Sequence, residues 1–266
     1  MKHRLVILIL LAGSLLISAV PVLAVDNFRA ACADISTDNL SPSPACLQVM
    51  QAYPKPIVTP IRIDRFTLSH YRFWKVENES PQLFDAPNGN LIGQMPPGFN
   101  FIHGVDTADG WVRSIGGPWI KTEDLKPQPP SEFRGVQLLA GLENNFGWVL
   151  GDLVTVPEPG ARQSMDTGVV KFRYDLVNIF AEVQHTDGWI WYMVGPNQWI
   201  EQRSLAIPKP VEKPEEIVAS RWVSIDLYEQ TLVAYEGTTP VFSTLIATGL
   251  PGSDTREGVF DVWARV

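Results

Sequence analysis

The sequence has few of the residues on which metal centres and nucleophilic active sites depend. It contains two cysteines and four histidines in 266 residues. His70, His103 and His185 are scattered, and none has a second ligand at a metal spacing such as i, i+4. No cysteine or histidine follows His185, so the C-terminal part offers no thiol–imidazole pair for nucleophilic catalysis. We assign no catalytic, metal-binding or cofactor-binding residue and expect no cofactor.

Blocks of lysine or arginine are also missing. The formal net charge is −8, with 21 basic and 29 acidic residues. Nucleic-acid binding draws on counterion release at clustered cations, so the sequence argues against a nucleic-acid partner. No second long apolar run follows the N-terminal one. We therefore expect contact with a membrane only through the N-terminal segment.

The N-terminus has the layout of a secretory signal. Lys2-His3-Arg4 precedes an apolar run over residues 5–24, and Val22-Leu23-Ala24 offers small residues to a signal peptidase. We predict that residues 1–24 are a signal peptide and that the protein is secreted or lies in the cell envelope. The alternative is an uncleaved membrane anchor, since roughly 20 apolar residues can span a bilayer. Cleavage removes Lys2 and Arg4 and leaves a net charge of −10.

Residues 25–60 form a proline-containing segment, which we expect to be an extended surface lead-in. Both cysteines, Cys32 and Cys46, lie in it. An even number of cysteines in an exported chain favours a disulfide between them. A nucleophilic cysteine would need a basic neighbour and a positioned histidine, and neither is nearby. A lipid anchor on Cys32 is a third alternative.

The rest of the chain alternates short β-type segments with turns. The 22 prolines and 20 glycines separate runs of Val, Ile, Trp, Tyr and Phe. This mixture predicts short strands and tight turns, and therefore an all-β protein.

One unit of this pattern occurs twice. Asp109-Gly110-Trp111-Val112 is echoed by Asp187-Gly188-Trp189-Ile190, and Gly117-Pro118-Trp119-Ile120 by Gly195-Pro196-Asn197-Gln198-Trp199-Ile200. Turn residues and aromatics that agree in order indicate an internal repeat. We place the copies at residues 61–126 and 132–206. Residues 207–216 are rich in proline and charge, and we interpret them as a semi-rigid linker.

The first copy resembles a bacterial Src-homology-3-like (SH3-like) domain. The resemblance rests on Leu83-Phe84-Asp85-Ala86-Pro87-Asn88-Gly89, on Ile92-Gly93 and on Pro96-Pro97-Gly98 together with the repeated motif. It implies a small five-stranded barrel for each copy. The second copy diverges and carries an insertion around residues 148–165.

Seven tryptophans of the repeats raise the question of sugar stacking. Trp111, Trp119, Trp189 and Trp199 recur at equivalent positions, which favours core packing. Trp74, Trp148 and Trp191 have no partner in the repeat, so we expect them to be better candidates for exposed stacking. Asp109 and Asp187 suggest an acid–base pair, but an aspartate before Gly-Trp is explained by the turn.

Residues 217–266 alternate as a β-meander. Strands are expected over 222–228, 231–235 and 240–246, and a fourth over 259–266. The amino-acid sequence of these strands resembles the start of the catalytic domain of peptidoglycan L,D-transpeptidases. The matching residues are Ile225-Asp226-Leu227, Glu229-Gln230-Thr231-Leu232, Ala234-Tyr235-Glu236-Gly237, Pro240-Val241-Phe242, Thr248-Gly249, Thr255 and Gly258-Val259-Phe260. Arg256 stands where that family usually has proline.

The resemblance implies an exported enzyme that cross-links peptidoglycan stem peptides through a cysteine acyl-enzyme on a β-sandwich. In that family the histidine and the Ser-x-Gly-Cys nucleophile follow the matching segment, and this sequence contains neither. We therefore expect an incomplete catalytic domain and an inactive chain as given. A short meander with an open edge points the same way, because a core below roughly 70–80 residues is marginal. The alternatives are that the meander pairs with another domain, and that the chain is a non-catalytic module whose repeats bind peptidoglycan glycan or stem peptides.

Overall fold

The structure is a computed structural model that describes residues 28–98, 100–139, 146–249 and 254–262. These residues contain twenty short strands and three short α-helices, so the predicted all-β class is confirmed. The predicted signal peptide, residues 1–24, lies outside the described residues. Within the described ranges no helix has the length and apolar character needed to cross a bilayer.

Two helices stand at the start of the described chain, α1 (Phe28–Ala31) and α2 (Pro44–Ala52). Helix α2 begins after Ser43, whose side chain accepts a hydrogen bond from the Cys46 amide, with proline at the first helical position. A disulfide joins Cys32 to Cys46. Phe28, Cys46 and their neighbours are buried against the second repeat. The expectation of a surface lead-in is therefore wrong for this part, because an apolar helix face needs a covering surface.

The first repeat folds into one antiparallel sheet of seven strands in the order β4-β3-β7-β6-β5-β2-β8. A short strand, β1 (Val58–Pro60), and helix α3 (Arg65–Leu68) precede it. The strands are β2 (Phe73–Val76), β3 (Gln82–Phe84), β4 (Leu91–Gln94), β5 (Phe101–Ala108), β6 (Trp111–Ser114), β7 (Trp119–Lys121) and β8 (Leu125–Gln128). Its core is small and consists of Val76, Ile102, Val112, Ile120 and Leu125. The core lies within residues 61–126, and the sheet extends beyond them only at the end of β8.

The second repeat is divided among three small sheets. β13-β10-β17 and β14-β15-β16 are three-stranded, and β11-β12 is a hairpin. β9 (Val136–Leu138) belongs to another sheet, described below. The strands of the second repeat's three sheets are β10 (Phe146–Val149), β11 (Leu153–Val154), β12 (Val170–Lys171), β13 (Leu176–Asn178), β14 (Ala181–Gln184), β15 (Ile190–Gly195), β16 (Gln198–Glu201) and β17 (Leu205–Ala206).

The two copies share their backbone course around one 3₁₀ turn. Thr122–Asp124 and Gln202–Ser204 both form this turn. The residue after it has φ/ψ of −127°/146° at Leu125 and −125°/147° at Leu205. Leu125 lies opposite Val76, and Leu205 lies opposite Val149. The repeated sequence motif therefore corresponds to a repeated local structure.

The C-terminal segment completes a five-stranded sheet, in the order β1-β9-β20-β19-β18. Its own strands are β18 (Arg221–Asp226), β19 (Thr231–Glu236) and β20 (Thr239–Leu245). The expected open edge is wrong, because β20 pairs with β9 through Phe242 opposite Gln137, and β9 pairs with β1. The alternative was that the meander pairs with another domain, and β20 does pair with β9, which lies within residues 132–206. β9 therefore belongs to the C-terminal sheet and not to the sheets of the second repeat.

The expected fourth strand is not found in the described part of its range, since residues 254–262 carry no strand. Residues 263–266 lie outside the described residues. The side chain of Val262 is 90% exposed, so among the described residues no neighbouring strand covers it. A segment without a neighbouring strand lacks the packing that favours β structure.

The segment predicted as a linker lies on the C-terminal sheet. The Ile207 amide and Lys209 Nζ donate to the Glu229 carboxylate at 2.9 and 2.6 Å. The Val211 amide donates to the Tyr235 hydroxyl at 2.8 Å. A shared core fixes the second repeat to the same sheet; it contains Val136, Leu138, Phe146, Trp148, Trp222, Val233 and Tyr235.

Candidate functional site

An open groove of about 400 Å³ lies where helix α3 meets the chain that leaves the first repeat. One wall comes from α3 and the residues after it, and the other from the segment that follows β8. The groove is lined by Arg65, Leu68, Ser69, Tyr71, Pro129, Pro130 and Glu132. It therefore combines apolar surface, an aromatic ring and charged groups of both signs.

The wall formed by α3 is fixed by its cap. Asp64 Oδ2 accepts a hydrogen bond from the Thr67 hydroxyl at 2.6 Å, and Oδ1 accepts one from the Thr67 amide at 2.9 Å. These two bonds hold the pKa of Asp64 below its ordinary value, the side-chain bond first. The Ser69 hydroxyl donates to the Phe66 carbonyl at 2.7 Å. A single helical turn is otherwise marginal, so these local bonds keep Arg65 and Leu68 in place.

The opposite wall is stiff for a different reason. Pro129 and Pro130 have fixed φ and no amide hydrogen, so the chain there stays extended and cannot fold back into the sheet. The rigid groove needs little reordering when a ligand enters it.

An aromatic shelf adjoins the groove. The Tyr71 and Phe73 rings are stacked, with centroids 5.7 Å apart and planes within 8°. The His103 ring lies 5.5 Å from Tyr71 and 5.6 Å from Phe73. Tyr71 is 43% exposed, and a half-exposed ring supported from behind presents a ready stacking face.

The polar groups of the groove are accessible. Arg65 and Glu132 form an ion pair at 2.8 Å, with side chains 73% and 55% exposed. An exposed pair of this kind contributes about 0–1 kcal/mol, so a ligand can replace either partner at little expense in stability. Aromatic surface flanked by a guanidinium, a carboxylate and the Ser69 hydroxyl suits a ligand with both apolar faces and hydroxyl or amide groups.

No protein-family model matches this chain, and no curated protein matches it at a significant level. The groove must therefore be interpreted from its own chemistry.

The tryptophans proposed for exposed stacking are not exposed. Trp148 and Trp191 are buried, at 1% and 7% exposure, and Trp74 is half-buried. The expectation was wrong because each packs against a core. Trp148 packs against the C-terminal sheet and Trp191 in the cluster under α1 and α2, which the repeat alone does not reveal, while Trp74 packs against the core of the first repeat. Of the recurring four, Trp111 and Trp199 are buried, and Trp119 and Trp189 are half-buried.

Asp187 has a structural role in its turn. Its Oδ1 accepts from the Trp189 amide at 2.9 Å, and its Oδ2 accepts from Trp191 Nε1 at 3.1 Å and lies 3.1 Å from His185 Nδ1. The Trp189 amide contributes most to holding the pKa of Asp187 below its ordinary value. Asp109 stands at the corresponding turn of the other repeat, so the two carboxylates belong to separate turns. Within the described ranges no group of three or more His, Cys, Asp and Glu side chains could hold a metal ion.

The sequence motifs did not predict the groove. A signal was present, since Phe66, His70, Tyr71 and Phe73 are closely spaced at the start of the first repeat and Pro129-Pro130 follows its end. These residues lie outside the repeated motif, so the repeat does not point to them.

Proposed function

We propose that this chain is an exported cell-wall protein that places an L,D-transpeptidase-type domain on peptidoglycan, with the first repeat as the wall-contacting module. The observation that carries the proposal is the rigid groove beside Tyr71, with its aromatic shelf and exposed ion pair. The resemblance of both repeats to SH3-like barrels and of residues 217–266 to the start of a transpeptidase β-sandwich supports it.

The chemistry of the groove fits peptidoglycan. A pyranose ring has an apolar face that stacks on an aromatic ring, and its hydroxyl and acetamido groups accept and donate hydrogen bonds. Tyr71 offers the ring, while Arg65, Ser69 and Glu132 offer polar partners around it. The net charge of −8 disfavours the binding of nucleic acid and other polyanions.

Binding is tested with purified peptidoglycan sacculi. Residues 25–266 should co-sediment with sacculi, and Tyr71→Ala should weaken retention by about 2- to 10-fold, which is what one aromatic contact contributes. Tyr228→Ala is the matched control, because Tyr228 is 68% exposed but lies in the turn between β18 and β19 and does not line the groove. Absence of retention of the unsubstituted chain would remove the proposal. Equal loss in both variants would remove the groove from it.

The transpeptidase part of the proposal rests on the meander of β18 to β20, which carries the first part of the matching residues, up to Phe242. Both cysteines of this sequence are joined in the Cys32–Cys46 disulfide, so neither offers a free thiol for an acyl-enzyme. Residues 25–266 should therefore gain no mass on incubation with a carbapenem, and an adduct would contradict this part of the proposal. The second candidate function is a non-catalytic wall-binding protein, which the groove alone supports.

A further inference from the structure

A second exposed aromatic surface lies on the other repeat, in the loop between β12 and β13. Phe172 is 60% exposed and Tyr174 is 39% exposed, with Arg173 exposed between them. Nothing in the repeated motif requires large aromatic side chains to face solvent here. Exposed aromatic and arginine side chains in one short segment are typical of binding surfaces.

The loop is held rigidly in an unusual backbone conformation. Tyr174 has φ +72°, a left-handed conformation that a bulky residue rarely adopts. The Tyr174 amide donates to the Val149 carbonyl at 2.7 Å, and the Arg173 amide donates to Asp152 Oδ1 at 2.9 Å. The Phe172 amide donates to Asp175 Oδ2 at 2.8 Å. Every amide from 172 to 174 is therefore bonded, and the surrounding structure maintains a strained residue whose partly exposed ring packs against Phe133, with centroids 4.6 Å apart.

The guanidinium of Arg173 is positioned but not neutralised. It lies over the Tyr174 ring, 4.6 Å from the centroid. Asp152 and Asp175, which contact the loop, each use a carboxylate oxygen to accept a backbone amide hydrogen bond. Among the described residues no carboxylate forms an ion pair with Arg173. A planar guanidinium stacked on a ring keeps its outer N–H groups free for a carboxylate.

The surroundings of the loop carry charge of both signs. Lys171 precedes the loop; burial is the largest effect on its pKa and lowers it, the Asp175 carboxylate raises it, and the positive charge of Lys55 lowers it again. The charges of Asp175 and Lys55 therefore act on Lys171 in opposite directions, and the unpaired Arg173 guanidinium is the group that an anionic ligand would meet. A carboxylate suits this group better than a neutral glycan surface does.

We propose that Phe172, Arg173 and Tyr174 form a binding site for a peptide carboxylate, with the guanidinium taking the carboxylate and the two rings taking the apolar part of the peptide. The choice of the peptidoglycan stem peptide as the source of the carboxylate rests on the proposed cell-wall function. The preference of the site for a carboxylate does not depend on that function. The two repeats then divide the polymer between them, the first repeat contacting glycan and the second contacting peptide.

The test titrates residues 25–266 with a synthetic stem tetrapeptide that has free carboxylates, and with the same peptide fully amidated. Binding is followed by calorimetry and by the NMR signal of Arg173 Nε–H. We expect the free peptide to shift that signal, and the amidated peptide to bind about tenfold more weakly or worse. Equal binding of the two peptides, or a shift that avoids Arg173, would overturn the proposal.

Three variants sharpen the titration. Arg173→Met should weaken binding about tenfold, and Arg173→Lys should weaken it less, because lysine keeps the charge but loses the planar fork. Arg162→Met is the matched control, since Arg162 is also exposed in the same stretch of the repeat. Tyr174→Asn keeps a residue that tolerates positive φ and removes the ring, so it should fold and bind more weakly. An effect of Arg162→Met equal to that of Arg173→Met would reduce the site to net charge and contradict the proposal.

Failure of this site and failure of the proposed function give different results. If sacculi retain the chain while the free tetrapeptide does not bind, the cell-wall proposal stands and the carboxylate site is refuted. If the tetrapeptide binds at Arg173 while intact sacculi retain nothing, the carboxylate site stands and the groove is refuted.

Discussion

The two repeats have the same local backbone but different surroundings. The first encloses five buried apolar side chains in a sheet made from its own strands. The second is covered on one side by α1 and α2 and shares a core with the C-terminal sheet on another. A repeated sequence motif therefore specifies a turn and its flanking strands, whereas the stability of each copy depends on what packs against it. The isolated copy has the open groove, and the embedded copy has the rigid loop at Tyr174.

The largest expected effect comes from the contact that embeds the second repeat. Trp148 is 1% exposed and packs between that repeat and the C-terminal sheet. Trp148→Ala should destabilise both by about 3–5 kcal/mol and leave the first repeat unchanged. Urea unfolding followed by residue-resolved amide exchange measures this. Trp119→Ala, in the half-buried position of the first repeat, is the control and should affect that repeat alone. Loss of stability in all parts after Trp148→Ala would show that the repeats are not independent.

The disulfide gives the next largest effect. It closes a loop with a sequence separation of 14 residues, for which loop entropy predicts about 3 kcal/mol. Replacing both cysteines by alanine should lower the stability of the second repeat, because α1 and α2 cover Phe180 and Met193. The same exchange experiment should find the first repeat unaltered. An unchanged second repeat would mean that the helices pack independently of their crosslink.

The prediction of the all-β class and of strands β18 to β20 from sequence succeeded because alternating apolar residues and turn signals are local. The pairing of β9 with β20 could not be predicted in the same way. Val136–Leu138 is only three residues long, and its partner Phe242 is about a hundred positions away along the chain. Trp148 illustrates the same limit, since its burial depends on that long-range pairing. The groove was missed because it joins α3 to Pro129 across the whole first repeat.

The smallest expected effect distinguishes the two Asp-Gly turns. The folded state favours the ionised Asp187 carboxylate. The stabilisation it gives is therefore complete above pH 3.8, the ordinary pKa of this side chain, and is lost as the pH falls through the lowered pKa of the folded state. Asp187→Asn should therefore flatten the acid side of the stability–pH curve of the second repeat. The control is Asp109→Asn at the corresponding turn, where no hydrogen bond to the carboxylate is found among the described residues. An equal flattening of the stability–pH curve of the first repeat would contradict the structural role given to Asp187.

Native-state amide hydrogen exchange on the chain and on Ile120→Ala tests most directly whether one repeat is isolated and the other embedded. Ile120 is fully buried in the first repeat, at the position that Ile200 occupies in the second. We predict that Ile120→Ala speeds exchange in β2 to β8, by an amount that reflects about 2–5 kcal/mol, and leaves β14 to β16 and β18 to β20 at their original rates. A parallel increase in all these strands would contradict the account.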